Sequence, residues 1–194
     1  MSMSFLPLWR PALVSLIGLS LLTGGLYPLA VTGLAQALFP AQAQGSLIQH
    51  GGQTLGSHLI GQPFSDPGHF WGRPSATAPM AYNAAASGGP NQGPLNPALS
   101  EAVRARIAAL RAADPGQTGP VPVDLVTASA SGLDPHISPA AAAYQLPRVA
   151  RARGLDPTEL QALVEQHTER PRWGWFGEAQ VHVLALNLAL DARR

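Results

Sequence analysis

The sequence contains neither cysteine nor lysine. Without cysteine there is no disulfide scaffold, no thiolate metal site and no cysteine nucleophile. Without lysine there is no Walker A loop, whose lysine must reach the nucleotide phosphates, and no Schiff-base catalysis. Charge of either sign is also scarce: 12% of the residues are charged and the net charge is +1. No strong field therefore draws nucleic acid, which is not an expected partner. The scarcity is uneven. Between Pro11 and Ser65 there is no aspartate, glutamate, lysine or arginine.

That uncharged stretch opens with an apolar run, 11–39. About 20 such residues suffice to cross a hydrocarbon core of roughly 30 Å. A cleaved signal peptide is the alternative, since Ala35-Gln-Ala37 and Ala41-Gln-Ala43 offer small-residue sites. The run is far longer than a signal core of about 7–15 residues, which favours a retained anchor. Arg10 precedes the run and no cation follows until Arg73. The excess of positive charge on the cytoplasmic side then places residues 1–10 inside and 40–194 outside, as one soluble domain on an inner-membrane anchor. Membrane lipid is thus an expected partner. Pro28 lies within the run and is expected to bend the helix.

Beyond the span, Gly45–Gly56 reads as two short strands around Gly51-Gly52. Residues 61–94 are dense in glycine and proline but carry Phe64, Phe70, Trp71 and Tyr82. Such a loop is expected to be packed and ordered. Asn96-Pro97, Ser138-Pro139 and Asp156-Pro157 each set a capping side chain before a proline at the first helical position. They predict helices over 97–113, 139–153 and 157–168, the third with a capping box completed by Glu159. Residues 121–128 read as a strand, and 181–190 as a short strand followed by a helix. The fold class is α+β: one transmembrane helix, then a compact domain of a short sheet with packed helices.

Candidate chemistry is thin. The six histidines include no zincin pair, and no metal site is expected. Ser87-Gly88-Gly89-Pro90-Asn91 either presents backbone N–H groups to an anion or forms a plain tight turn. The hydroxyl-rich run 127–138 either gathers a ligand or satisfies turns and caps. If helix 139–153 is continuous, Pro147 deprives the Ala143 carbonyl of its donor close to the Gln145 amide. That leaves either a contact site with a free amide or a simple kink.

Several segments together resemble the C subunits of the Kdp potassium-transporting ATPase. They include Leu22-Thr-Gly-Gly-Leu-Tyr-Pro28, Phe70-Trp-Gly-Arg-Pro-Ser75, Ser129-Ala-Ser-Gly-Leu-Asp-Pro-His-Ile-Ser138, Tyr144-Gln145-x-Pro-Arg148 and Asn187-x-Ala-Leu190. The similarity runs nearly end to end. Pro90 departs from the serine usual in the family, as does the absence of lysine. The resemblance implies a non-catalytic accessory subunit of a high-affinity potassium pump. Its partners would be a channel-like A subunit, a P-type ATPase B subunit and a small F subunit. It further implies a catalytic chaperone that raises ATP affinity of the B subunit, with Gln145 as a nucleotide contact. Ser87, Gly88, Gly89, Tyr144 and Arg148 are the accompanying candidate contact surface. ATP would then be shared with the ATPase subunit, no cofactor being held tightly by this chain alone. These implications collide with the charge argument, because ATP lies inside and the domain outside. Two other classes stay open: an anchored or secreted hydrolase using Asp124, Asp134 and His136, and an exported solute-binding module.

Overall fold

A computed structural model describes residues 6–193, which fall into two units divided between Leu47 and Ile48. Residues 1–5 and 194, at the ends of the expected segments 1–10 and 40–194, lie outside the described residues.

The first unit is helical. α1 (Leu6–Leu21) passes through a π-helical turn at Leu22–Leu26 into α2 (Tyr27–Leu38), and a short α3 (Pro40–Ala43) follows. Residues 8–38 are long and apolar enough to cross a membrane. Their leucine and valine side chains are exposed along the whole length, an arrangement that water penalises by roughly 25 cal/mol for each Å² of apolar surface. The π turn has a local cause. Pro28 has no N–H, and its ring would crowd the carbonyl four residues back. Widening the preceding turn, with Tyr27 N–H donating to the Leu22 carbonyl, relieves that crowding. Where a bend was expected, the helix carries an inserted π turn just before Pro28.

The boundary falls at the first residue of a hairpin, β1 (Leu47–His50) and β2 (Gln53–Ser57), turned at Gly51 and Gly52, both with positive φ. α4 (Pro97–Ala113) follows the long loop. Then come β3 (His136–Ile137), α5 (Pro139–Arg153), α6 (Pro157–Gln166), β4 (Thr168–Glu169), β5 (Gln180–His182) and α7 (Val183–Asp191). β5 is the central strand of a small antiparallel sheet, ordered β3-β5-β4, with His136 opposite His182 and Thr168 opposite Val181. The core lies where α5, α6 and α7 meet this sheet. Ala141, Val149, Leu160, Leu163, Val181, Leu186 and Leu190 are buried there, and Phe70 of the long loop is fully enclosed with them. The architecture is α+β, as the pattern predicted.

The three Asx/Ser-Pro caps form as expected: Asn96, Ser138 and Asp156 each accept a backbone N–H of the helix they start. Asp156 serves both Thr158 and Glu159 N–H. The Glu159 side chain returns no bond among the described residues, so the capping box is only half made. The strand expected at 121–128 is a correction. Val123–Leu125 is a 3-10 turn. Pro120 and Pro122 remove two ladder donors, and Leu125 and Val126 N–H turn back to Pro122 and Val123. α6 also stops at Gln166, two residues short of the expected end, where Thr168 enters β4.

Candidate functional site

The motif-bearing residues converge on the loop 66–75. Gln145 of α5 and Asn187 of α7 grip it in the same way. The Asn187 amide accepts from Phe70 N–H at 2.9 Å and donates to the Phe70 carbonyl at 2.9 Å. The Gln145 amide accepts from Trp71 N–H at 2.8 Å and donates to the Trp71 carbonyl at 3.1 Å. Each side chain thus substitutes for a neighbouring strand and satisfies both backbone groups of one loop residue.

Arginines complete the grip. Arg148 donates to the Pro67 and His69 carbonyls and, at 2.8 Å, to Gln145 Oε1. Its guanidinium lies 4.5 Å from the Trp71 ring centroid, a cation–π contact. Arg153 Nε donates to the Gly68 carbonyl at 2.8 Å, and Arg153 also meets Asp191. The carbonyls of five successive residues, 67–71, are therefore each held by a side chain. Burial pushes Arg148 down to about 10, with Asp114 and Asp66 acting in the opposite direction. At neutral pH it remains charged.

A second layer anchors the far end of the loop. Tyr82 Oη donates to the Arg73 carbonyl at 2.6 Å, and burial together with Asp134 raises Tyr82 to about 12. Ser75 Oγ donates to the Gly132 carbonyl at 2.7 Å. Gly132 has a φ of 69°, and a Cβ there would lie 2.6 Å from Thr77 Cγ2, so this close approach requires glycine. Arg73 Nη1 pairs with Asp134 at 3.1 Å. Burial alone would raise Asp134, but hydrogen bonds from His136 and Arg73 outweigh it and hold the carboxyl below its ordinary range.

The expected site residues fall into two groups. Gln145, Tyr144 and Arg148 are buried, so they offer no surface in this arrangement. Gln145 is 1% exposed. The expectation of a free amide beside Pro147 is corrected: Trp71, Arg148 and the Ala141 carbonyl engage both ends of it. Tyr144 Oη is buried with no bond among the described residues. Ser87, Gly88 and Gly89 lie apart, against the 129–132 turn. Ser87 is exposed but its hydroxyl donates to the Ser131 carbonyl at 3.0 Å, as does Gly88 N–H. A Cβ on Gly89 would lie 2.9 Å from the Ala130 carbonyl oxygen. The Gly88 N–H thus points into a turn rather than toward an anion.

The residues considered for hydrolysis serve as caps and pairs. Asp124 accepts from Ser138 N–H at 2.7 Å and from its hydroxyl at 3.2 Å, and Ser138 caps α5. Asp134 accepts from His136 N–H at 3.0 Å. No hydroxyl is bonded to His136 among the described residues, so no oriented nucleophile accompanies it. No cluster of three histidine or carboxylate side chains suited to a metal occurs among them either. The residue missed from sequence is Asn187. Its signal was a lone amide among Leu184, Leu186, Leu188 and Leu190, since a polar side chain on a buried apolar helix must have a partner.

The family model described as "K+-transporting ATPase, c chain" matches residues 9–192. The chain belongs to the KdpC family. Among similar proteins, the potassium-transporting ATPase KdpC subunit of Variovorax paradoxus (strain S110) is 71% identical over 183 residues, covering 94% of this chain and 95% of the relative. The KdpC subunit of Methylococcus capsulatus (strain ATCC 33009 / NCIMB 11132 / Bath) is 63% identical over 186 residues, covering 96% and 98%. In this KdpC-family chain, Gln145 with Arg148 on α5 and Asn187 on α7 are the two jaws that hold one loop.

Proposed function

We propose that this chain is the accessory subunit of an ATP-driven potassium pump, anchored in the inner membrane by residues 11–39, with the domain 40–194 outside the cytoplasm. The observation that carries the proposal is the family match across 9–192 in a chain with a 31-residue apolar helix, Leu8–Leu38. Its partners in this reading are the channel-like A subunit, the P-type ATPase B subunit and the small F subunit. The chain supplies no catalytic group and holds no cofactor of its own. It stabilises the assembly and raises the ATP affinity of the B subunit. The physical basis is linkage: a subunit that binds the ATP-loaded partner more tightly tightens ATP binding by the same factor.

A nucleotide contact at Gln145 requires its amide to leave Trp71 and Arg148 and ATP to reach the domain. The buried grip favours an indirect role, in which Gln145 orders the 66–75 loop and the loop shapes the surface offered to the pump. Sidedness is testable because the chain has no cysteine. Ser87→Cys is exposed and unique. In intact cells it should react with a membrane-impermeant maleimide. Labelling only after the cells are opened would place the domain in the cytoplasm and restore direct access to ATP.

A further inference from the structure

Between β4 and β5 the chain projects a small hairpin, Arg172-Trp-Gly-Trp-Phe176. It is closed by paired backbone bonds between Arg172 and Phe176, each 2.9 Å, with Trp173 and Gly174 at positive φ. Trp173, Trp175 and Phe176 are 80%, 75% and 60% exposed. Their ring centroids lie 5.8–6.4 Å apart, forming one aromatic cluster on the tip. Neither indole N–H is hydrogen-bonded among the described residues, whereas Trp71 Nε1 donates to the Asp66 carbonyl. Arg170 and Arg172 flank the tip, exposed and without an ion pair among the described residues. Of the neighbouring carboxylates, Glu169 is engaged, accepting from Gln180 and facing His136, whereas Glu178 is exposed and turned to one side of the tip, on the cleft containing Arg73 and Asp134.

We infer that this hairpin is a lipid-interface foot, with Trp173, Trp175 and Phe176 entering the headgroup region of an anionic bilayer and Arg170 and Arg172 meeting lipid phosphates. The inference rests on the anchored reading above. Tryptophan suits a membrane interface because its ring is apolar and its N–H still needs an acceptor. A tip whose indole donors have no partner among the described residues, beside exposed guanidinium groups, matches an acceptor-rich surface of lipid phosphates. The same chain carries a helix long and apolar enough to lie in a bilayer, so lipid is within the covalent reach of the domain.

The test uses the full chain with Trp9→Phe, reconstituted in phosphatidylcholine–phosphatidylglycerol vesicles whose acyl chains are brominated close to the headgroups. Tryptophan emission should be quenched. Adding Trp173→Ser and Trp175→Ser should abolish most of that quenching while the thermal midpoint stays unchanged. Arg170→Gln with Arg172→Gln should weaken quenching in anionic vesicles and leave it unaltered in pure phosphatidylcholine. Equal bromolipid quenching with and without the two hairpin tryptophans would overturn the inference. So would emission that shifts only when the other pump subunits are co-reconstituted, which would assign the tip to a protein partner. Release of the chain by a carbonate wash would instead overturn the anchoring, and the foot with it.

Discussion

Two side-chain amides, Gln145 and Asn187, hold consecutive residues of one loop through paired backbone bonds. Truncating either leaves a buried N–H and carbonyl without partners, and at position 145 also loosens Arg148. The expected cost is about 2 kcal/mol for each variant, near the middle of the range for a buried polar group deprived of its partner. Urea unfolding of Gln145→Ala and Asn187→Ala should show it. The pair also separates direct from indirect action on the pump. If the loop is what matters, both variants shift the ATP dependence of pump activity alike. A shift with Gln145→Ala alone, at equal loss of stability, would support nucleotide contact. Pro147 singles out Gln145 in the sequence, but nothing local marks where its amide goes. Its partner Trp71 lies 74 residues away, and no local rule brings the two together.

At the scale of the element, α7 is sensitive to acid at its first turn. His182 Nδ1 accepts the Ala185 N–H at 3.1 Å as the cap, and Nε2 donates to the His58 carbonyl at 3.0 Å. The rings of His58 and His136 stand 5.2 and 5.1 Å away, and Glu169 faces His136. Burial pushes His182 down, as do the neighbouring histidines, against the smaller opposing pull of the His58 carbonyl bond and Glu169. His167, also buried in part, shifts the same way. A histidine whose folded pKa is depressed stabilises the fold while neutral. That contribution is complete above about pH 6.5 and is lost progressively as the pH falls below it. Denaturation midpoints should therefore drop on going from about pH 7.5 to about pH 5.5. His182→Asn, which retains a capping acceptor, should flatten that slope. Local grammar made the helix starts legible, because a cap followed by proline is decided within a few residues. It failed at 121–128, where valines suggested a strand but Pro120, Pro122 and the engagement of Asp124 with Ser138 produced a turn.

At the scale of the whole molecule, the chain joins a helix with no charge beyond Arg10 to a domain in which motif residues hold the fold together. The helix was legible from composition, since length and the absence of charge are properties of the sequence alone. The sheet order β3-β5-β4 was not, because its two- and three-residue strands are too short to carry a period. Membership of the KdpC family makes the chain an accessory subunit of a potassium pump. The most direct measurement is recovery of the tagged full chain from detergent-solubilised membranes, followed by identification of what comes with it. The account predicts a channel-like subunit and a P-type ATPase subunit in equal amount with the chain, together carrying potassium-stimulated ATP hydrolysis. Recovery of the chain alone, or in a shortened form from the periplasmic fraction, would contradict it.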